Sequence, residues 1–267
     1  MNWVRGLASV YSVVAVLFAG AVFLVLQVDA TQARLRFEHL RAMGAPERAL
    51  GHGERALALL ARGGEGTATS RIRLEVALAE AYEEAGRPDQ AARRYQAVLD
   101  RLSAGDADES AIRGATEHQL IRALLEAGEA GAAAARLVPH IDAVREARHL
   151  PSARPGGPSL DPRAAAMIVD TAAPLFAGIA VERPLTATSL PDADAFLVLA
   201  SYLREGGHAG DAAARLAAAD ADLRMSRLGP ADPRTRAAVL MAAEIELARG
   251  LGRPVRDRLK PLIESPG

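Results

Sequence analysis

The chain has 267 residues, half of them hydrophobic, 24% charged and only 4% aromatic, with 32 basic against 33 acidic side chains and no cysteine. Its 31 arginines are scattered rather than clustered, which leaves no basic face for phosphates and excludes nucleic acid as a main partner. Scarce aromatics speak against a β-sandwich, while alanine at 59 positions favours helix throughout. Without cysteine there is no disulfide, thiolate nucleophile or cysteine–zinc site, and the single lysine, Lys260, rules out a Walker A loop.

The first expected element is a membrane anchor. Residues 7–28, LASVYSVVAVLFAGAVFLVLQV, carry no charge between Arg5 and Asp29. A helix of that length rises about 33 Å and can cross a hydrocarbon core of about 30 Å. Trp3 and Tyr11 suit the interface. The competing reading is a cleaved signal peptide, for Val28-Asp29-Ala30 loosely fits a small-x-small site, but the apolar run exceeds the usual signal core of about 7 to 15 residues. A literal count of Arg5 against Arg34, Arg36 and Arg41 leans toward a cytoplasmic body. A six-residue tail before a long apolar run is instead the layout of a signal anchor, and on that ground the body is expected on the extracytoplasmic side.

Behind this segment runs an internal period. Leu40, Tyr82 and Leu124 are 42 residues apart, as are Gly44, Gly86 and Gly128, and Ala49, Ala91 and Ala133. Each unit reads as two helices joined by a tight turn, the glycine closing the first helix and the alanine letting the second pack closely on it. The clearest unit runs from Arg71 to Leu102. Its first helix carries an apolar stripe of Leu74, Ala77, Leu78, Ala81, Tyr82 and Ala85. Its second opens at Pro88, with Ala91, Tyr95, Val98, Leu99 and Leu102 in line. In the first unit Gly53 stands where the others have Tyr95 and Leu137.

Leu78, Ala79, Tyr82, Gly86, Ala91 and Tyr95 fall at the spacing of the tetratricopeptide repeat (TPR), and Leu120, Leu124, Gly128, Ala133 and Leu137 resemble it in the next unit. The period of 42 is similar to the long-helix variety of kinesin light chains, and Leu228-Gly229-Pro230-Ala231-Asp232-Pro233-Arg234-Thr235 partly resembles its inter-repeat turn. The resemblance implies an all-α, right-handed TPR-like solenoid of antiparallel helical pairs behind a single transmembrane helix. Three pairs are expected in 31–150 and two in 193–267, the latter marked by Tyr202, Gly206, Ala212 and Leu216. Between them, Pro-rich stretches flank residues 163–182, which read as a degenerate pair broken at Pro174 rather than as a second membrane span, given Asp170 near the middle.

Chemistry is thin. None of the six histidines sits in a metal-ligand spacing, and Glu117-His118 and His140/Asp142 are neighbours that point to different sides of a helix. No nucleophile elbow or phosphate loop occurs, so neither metal nor cofactor is expected and the chain reads as non-catalytic. The resemblance instead implies a groove lined by the leading helices, with Arg73, Glu80 and Glu83 in one unit and His118, Gln119 and Arg122 in the next meeting a protein or peptide partner. Two other classes stay open: an envelope enzyme using Asp161, Asp170 and Glu182 of the irregular 151–192 region, and a permanent structural subunit of a membrane complex.

Overall fold

A helix that ends at a glycine in the left-handed conformation can close its last turn with two backbone bonds, and this chain does so at the period read from its sequence. Gly44, Gly86 and Gly128 have φ of 70°, 68° and 84°. At each, the residue after the glycine donates back to the apolar residue of the column: Ala45 to the Leu40 carbonyl at 3.0 Å, Arg87 to Tyr82 at 2.8 Å, and Glu129 to Leu124 at 2.8 Å. Gly250, with φ 76°, repeats the motif, Leu251 donating to Glu246 at 3.0 Å. Proline opens several of the helices that follow, where its missing N–H costs nothing. Pro233 does so behind Asp232, whose carboxylate accepts from the Arg234 N–H at 2.8 Å.

The computed structural model describes residues 28–63, 68–102, 107–148, 150, 161–182, 185–205 and 210–264; the anchor expected at 7–28 lies outside them but for Val28. The described residues form α1 (28–42), α2 (Pro46–Gly63), α3 (Ala68–Glu84), α4 (Pro88–Arg101), α5 (Ala107–Glu126), α6 (Ala130–Ala147), α7 (Pro162–Glu182), α8 (Leu190–Glu205), α9 (Gly210–Leu228), α10 (Pro233–Ala248) and α11 (Gly252–Glu264). Within each unit, helices in contact that are joined by a short turn run antiparallel. The chain divides into two units, Met1–Leu102 and Ser103–Gly267.

In the first unit α2 packs on α3 and α3 on α4. Arg41 of α1 reaches Glu80 and Glu84 of α3 at 3.1 and 2.6 Å, and Arg94 of α4 reaches Glu54 of α2 at 2.6 Å. The odd place in the repeat now has a physical reason. A Cβ on Gly53 would meet Leu78 at 2.8 Å and Phe37 at 2.9 Å, so the bulk missing from α2 is supplied by α1. Phe37 stands 42 residues before Ala79, as Gly53 stands 42 before Tyr95, and all four are buried. Large-plus-small has been exchanged for small-plus-large at equivalent positions of two helical pairs, the kind of volume-conserving swap that packed interiors tolerate.

In the second unit each helix meets both its neighbour and the one beyond. Helix α6 packs on α5, α7 and α8, and α9 packs on α7, α8 and α10. Side chains carry the alternation to the end, with Ser201 of α8 on Met241 of α10 at 3.6 Å and Arg258 of α11 on Asp222 of α9 at 2.9 Å. Hence α5, α7, α9 and α11 form one layer and α6, α8 and α10 the other. The region expected to hold a degenerate pair broken at Pro174 holds one helix, α7, which runs on through that proline. Ile168, Val169, Ala172, Ala173, Phe176 and Ala180 give it a buried stripe on one side, enough neighbouring turns to hold it together across the missing N–H. It is also the one helix among the described residues long and apolar enough to cross a membrane.

Of the residues expected to pack the repeats, Leu78, Tyr82, Ala91, Tyr95, Leu124, Ala133, Leu137, Ala212 and Leu216 are buried, and Tyr202 is half-buried. Arg224 of α9, itself buried, ties three helices. Its guanidinium reaches Asp194 of α8 and, at 2.7 Å, Asp220 one turn back, and its carbonyl accepts from the Thr235 hydroxyl of α10 at 3.3 Å. Burial drives the Asp220 carboxyl up to about 6, with Arg224 pulling it the other way.

Two outcomes are expected. Phe37→Ala should cost about 3 to 5 kcal/mol and Gly53→Tyr about 1 to 3 kcal/mol, while the double variant should recover part of the loss, as read by denaturant melts. Strict additivity would refute the exchange. Because the Asp220 carboxyl is raised, its contribution is fully present below the unfolded value and disappears as pH rises through about 6. The wild-type chain should therefore gain on the order of 1 kcal/mol between pH 7 and pH 5 from this group. Asp220→Asn should flatten that part of the melting profile, and an unchanged profile would count against it.

Candidate functional site

The residues expected to face a partner lie on α3 and α5. On α3, Arg73 is exposed. Glu80 and Glu83 are turned to internal use, Glu80 by Arg41 and Glu83 by the Tyr95 hydroxyl, which donates to it at 3.0 Å. On α5, His118, Gln119 and Arg122 are all half-buried; Arg122 lies 3.9 Å from Glu126, and the side-chain oxygen of Gln119 is buried without a hydrogen-bond partner.

The ion pairs that take up these faces were not visible as such in the sequence. Arg41, counted above among charges flanking the anchor, sits between two carboxylates and 5.8 Å from the centre of the Phe37 ring. A hydrogen bond from Arg41 to Glu84 leads the causes that hold its guanidinium above the ordinary arginine value. The signal was present in the period: Arg41 and Glu84 are 43 residues apart, one repeat and one step, which brings the ends of two leading helices together. Behind them Tyr82 donates to Glu54 at 2.8 Å, and burial, then that carboxylate, raises the phenol.

A second arrangement, which sequence reasoning did not find, lies in the second unit between α5, α6 and α7. Here a cavity of about 440 Å³ opens. Its walls are small, Gly114 from α5, Ala135 from α6, and Ala164 and Ala165 from α7, closed by Ile168 and the Pro139 ring. Glu117 and His140 line it deep down, their side chains 12% and 11% exposed, with His140 Nε2 3.8 Å from Glu117 Oε1. Arg136 approaches the same oxygen at 3.5 Å. Arg113, Arg136 and Asp161 line it nearer the surface. The two residues dismissed above as parts of unrelated neighbour pairs thus meet across one hairpin. Glu117 stands eleven residues before Gly128 and His140 twelve after it, a mirror placement that a hairpin reading of the turn predicts.

Pro139 adds a further feature. It has no N–H, so it cannot close the helical bond to the Ala135 carbonyl, which belongs to the same wall. His140 Nδ1 is buried and has no hydrogen-bond partner. Another concavity of similar size, about 450 Å³, runs between Leu185–Ala187 and α9, but its charged residues, Arg215 and Asp222, are exposed. Among the described residues no three histidine, aspartate or glutamate side chains gather as a metal would require.

No family model and no curated protein sequence matches the chain. Two solved structures of a candidate kinesin light chain of Podosopora anserina with nearly identical TPR-like repeats, one of them a single-substitution variant, are similar at 17% identity over 90% of this chain and 93% of theirs, with a TM-score of 0.36. The pairing and layering of helices described here are read from the contacts within each unit of this chain.

Proposed function

We propose that the chain is a non-catalytic scaffold, a TPR-like array of the 42-residue variety, held at a membrane through residues 7–28 and offering its helix faces to protein or peptide partners. One observation carries the reading. The same closed turn recurs at Gly44, Gly86 and Gly128, each with the residue beyond the glycine bonded back to the apolar column. A turn repeated in residue type, conformation and spacing marks equivalent helical pairs, which supports reading the chain as a repeat protein, a class whose extended faces suit it to binding other chains.

The contact surface of each unit in this reading is its own, exposed Arg73 in the first and His118, Gln119 and Arg122 in the second. It is polar and of mixed charge, suited to a partner segment of modest intrinsic affinity. Tethering to a bilayer compensates for such weakness by confining both partners to one surface. In this reading the body lies on the extracytoplasmic side. The enzyme alternative has one observation in its favour, Asp161 sharing a cavity with Glu117 and His140, but its other two candidates, Asp170 and Glu182, lie on the exposed side of α7.

Removing residues 1–27 should move the chain from the membrane pellet to the supernatant with its helicity intact, and a truncated chain that still sediments with membranes would defeat the anchor. A photo-crosslinking residue at Arg73 or at His118 should capture one common partner, identified by mass spectrometry. The same group at Arg93, exposed on α4, should not. Equal capture from Arg93 would move the binding face elsewhere.

A further inference from the structure

Helix α1 is apolar on two opposite sides. One side, Ala30, Ala33 and Phe37, is buried in the first unit. The other carries Val28, Leu35 and Ala42, seven residues apart and all exposed, Val28 at 49% and Leu35 at 59%. Met43, also exposed, lies beside this line just past the end of the helix. A step of seven keeps residues in line where two helices wind gently round each other along a left-handed seam. Gln32 and His39, each four residues beyond an apolar member of the line, stand in its alternate places, and both are exposed.

The composition of this face favours a second copy of the chain as its cover. The charged residues of α1, Asp29, Arg34, Arg36, Glu38 and Arg41, all lie off it. A two-fold seam sets each residue against its own counterpart, where carboxylates or guanidiniums would repel. A glutamine amide and a neutral imidazole each hold both a donor and an acceptor, so either can bond to an identical group. A bilayer surface is a poorer match, since an interfacial helix presents an unbroken apolar face with bulky side chains, and here two polar groups interrupt it.

Chain order supplies the orientation. Residues 7–27 carry no charge and lead directly into α1. In the scaffold reading, on which this step rests, they cross the bilayer, so two copies in one membrane present α1 in parallel and at the same depth. Confinement to the surface raises their effective concentration. The burial of Phe37 already holds α1 against its own unit, so a contact of two heptads need not form the helix as well. We propose that the exposed face of α1 is a homodimer interface, a short parallel coiled coil. Val28, Leu35 and Ala42 of two copies meet across the two-fold axis, and Gln32 and His39 bond to their counterparts.

The test uses the full chain in membranes and its lack of any cysteine. Val28→Cys, Leu35→Cys and Ala42→Cys should each give a disulfide-linked dimer on mild oxidation, because these places in a parallel seam bring identical residues within disulfide reach. Arg34→Cys, exposed on the same helix but off the seam, should not. In detergent, light scattering should give twice the chain's 28.0 kDa. Leu35→Asp should weaken the dimer by about tenfold with helicity unchanged. Gln32→Glu, which sets two like charges face to face, serves the same purpose should Leu35→Asp lose helicity.

Equal crosslinking at Arg34→Cys, or none at the three seam positions, would overturn the interface. So would linkage of Val28→Cys only to Ala42→Cys in a mixed sample, since that pairing is antiparallel. Linkage of Leu35→Cys to a different protein would give the face to another partner. Quenching of a fluorophore at Leu35→Cys by nitroxide lipids, with no dimer formed, would give it to the bilayer. Sedimentation of the same samples separates this proposal from the anchor. A chain that pellets with membranes but fails to crosslink refutes the dimer alone. A soluble chain that still crosslinks at the seam refutes the anchor alone, and a soluble chain that does not crosslink refutes both.

Discussion

A helix whose apolar stripe is wider than one neighbour can cover must be flanked on two sides, and the rest of this structure follows from that requirement. Helix α6 buries Ala133, Leu137, Ile141 and Val144, and also Ala134 and Val138, and it finds α5, α7 and α8 around it. Helix α9 buries Ala212, Ala213, Ala214, Leu216, Ala217 and Ala221 against α7, α8 and α10. Alanine makes such approaches close but contributes little each, about 0.8 kcal/mol per buried carbon. Stability is therefore spread along the chain instead of gathered in one centre. Helix α11 illustrates the rule by its exception, for with no successor among the described residues it has no buried residue of its own.

Place in a layer and place in a pair are separate properties, and α7 separates them. Counted by its turns, α10 leads a pair, since Gly250 closes it with the bond seen after α1, α3 and α5. Counted by its neighbours, it lies in the layer of α6, the trailing helix of the α5–α6 pair. An unpaired helix in the series shifts every later helix across. The helices that the sequence marks as leading in the C-terminal third thus lie in the opposite layer from α5. A partner face drawn through leading helices alone would change sides at α7.

The repeat was legible because it is written in backbone chemistry. A left-handed residue at a helix end calls for glycine, and three glycines at one spacing made the turn readable with no knowledge of packing. Buried positions such as Leu78, Tyr95, Ala133 and Leu137 followed from the three-and-four spacing. What stayed hidden depended on volume and reach. That Phe37 fills the space at Gly53 needs a distance across two helices, and a sequence read column by column records only that one column is wrong. The continuity of α7 through Pro174 depends on stripes on both sides of the proline being buried together. Glu80 and Glu83 read as surface groups because their spacing placed them on the polar face, and only the approach of Arg41 and Tyr95 withdraws them.

Arginine in place of lysine has a structural use here. Arg41 joins α1 to α3, Arg94 joins α4 to α2, Arg145 joins α6 to α8 and Arg258 joins α11 to α9, each spanning helices that share a layer. Arg41 and Arg258 hold two carboxylates at once, and so does Arg224 between α8 and α9. A guanidinium can serve two acceptors in fixed directions, which a single ammonium on a flexible stem does less well. Partly exposed ion pairs add little stability, so their main contribution is orientation. Alanine-lined helices slide easily on one another because their surfaces have few knobs, and a two-pronged bridge such as that from Arg41 of α1 to Glu80 and Glu84 of α3 fixes the sliding coordinate of the two helices it joins. The same long side chains explain why the void between α5, α6 and α7 persists. Where Gly53 faced a gap, a phenyl ring filled it; where Gly114, Ala135 and Ala164 line one, the side chains nearer the surface are Arg113, Arg136 and Asp161, and charged ends remain near water instead of filling an apolar space.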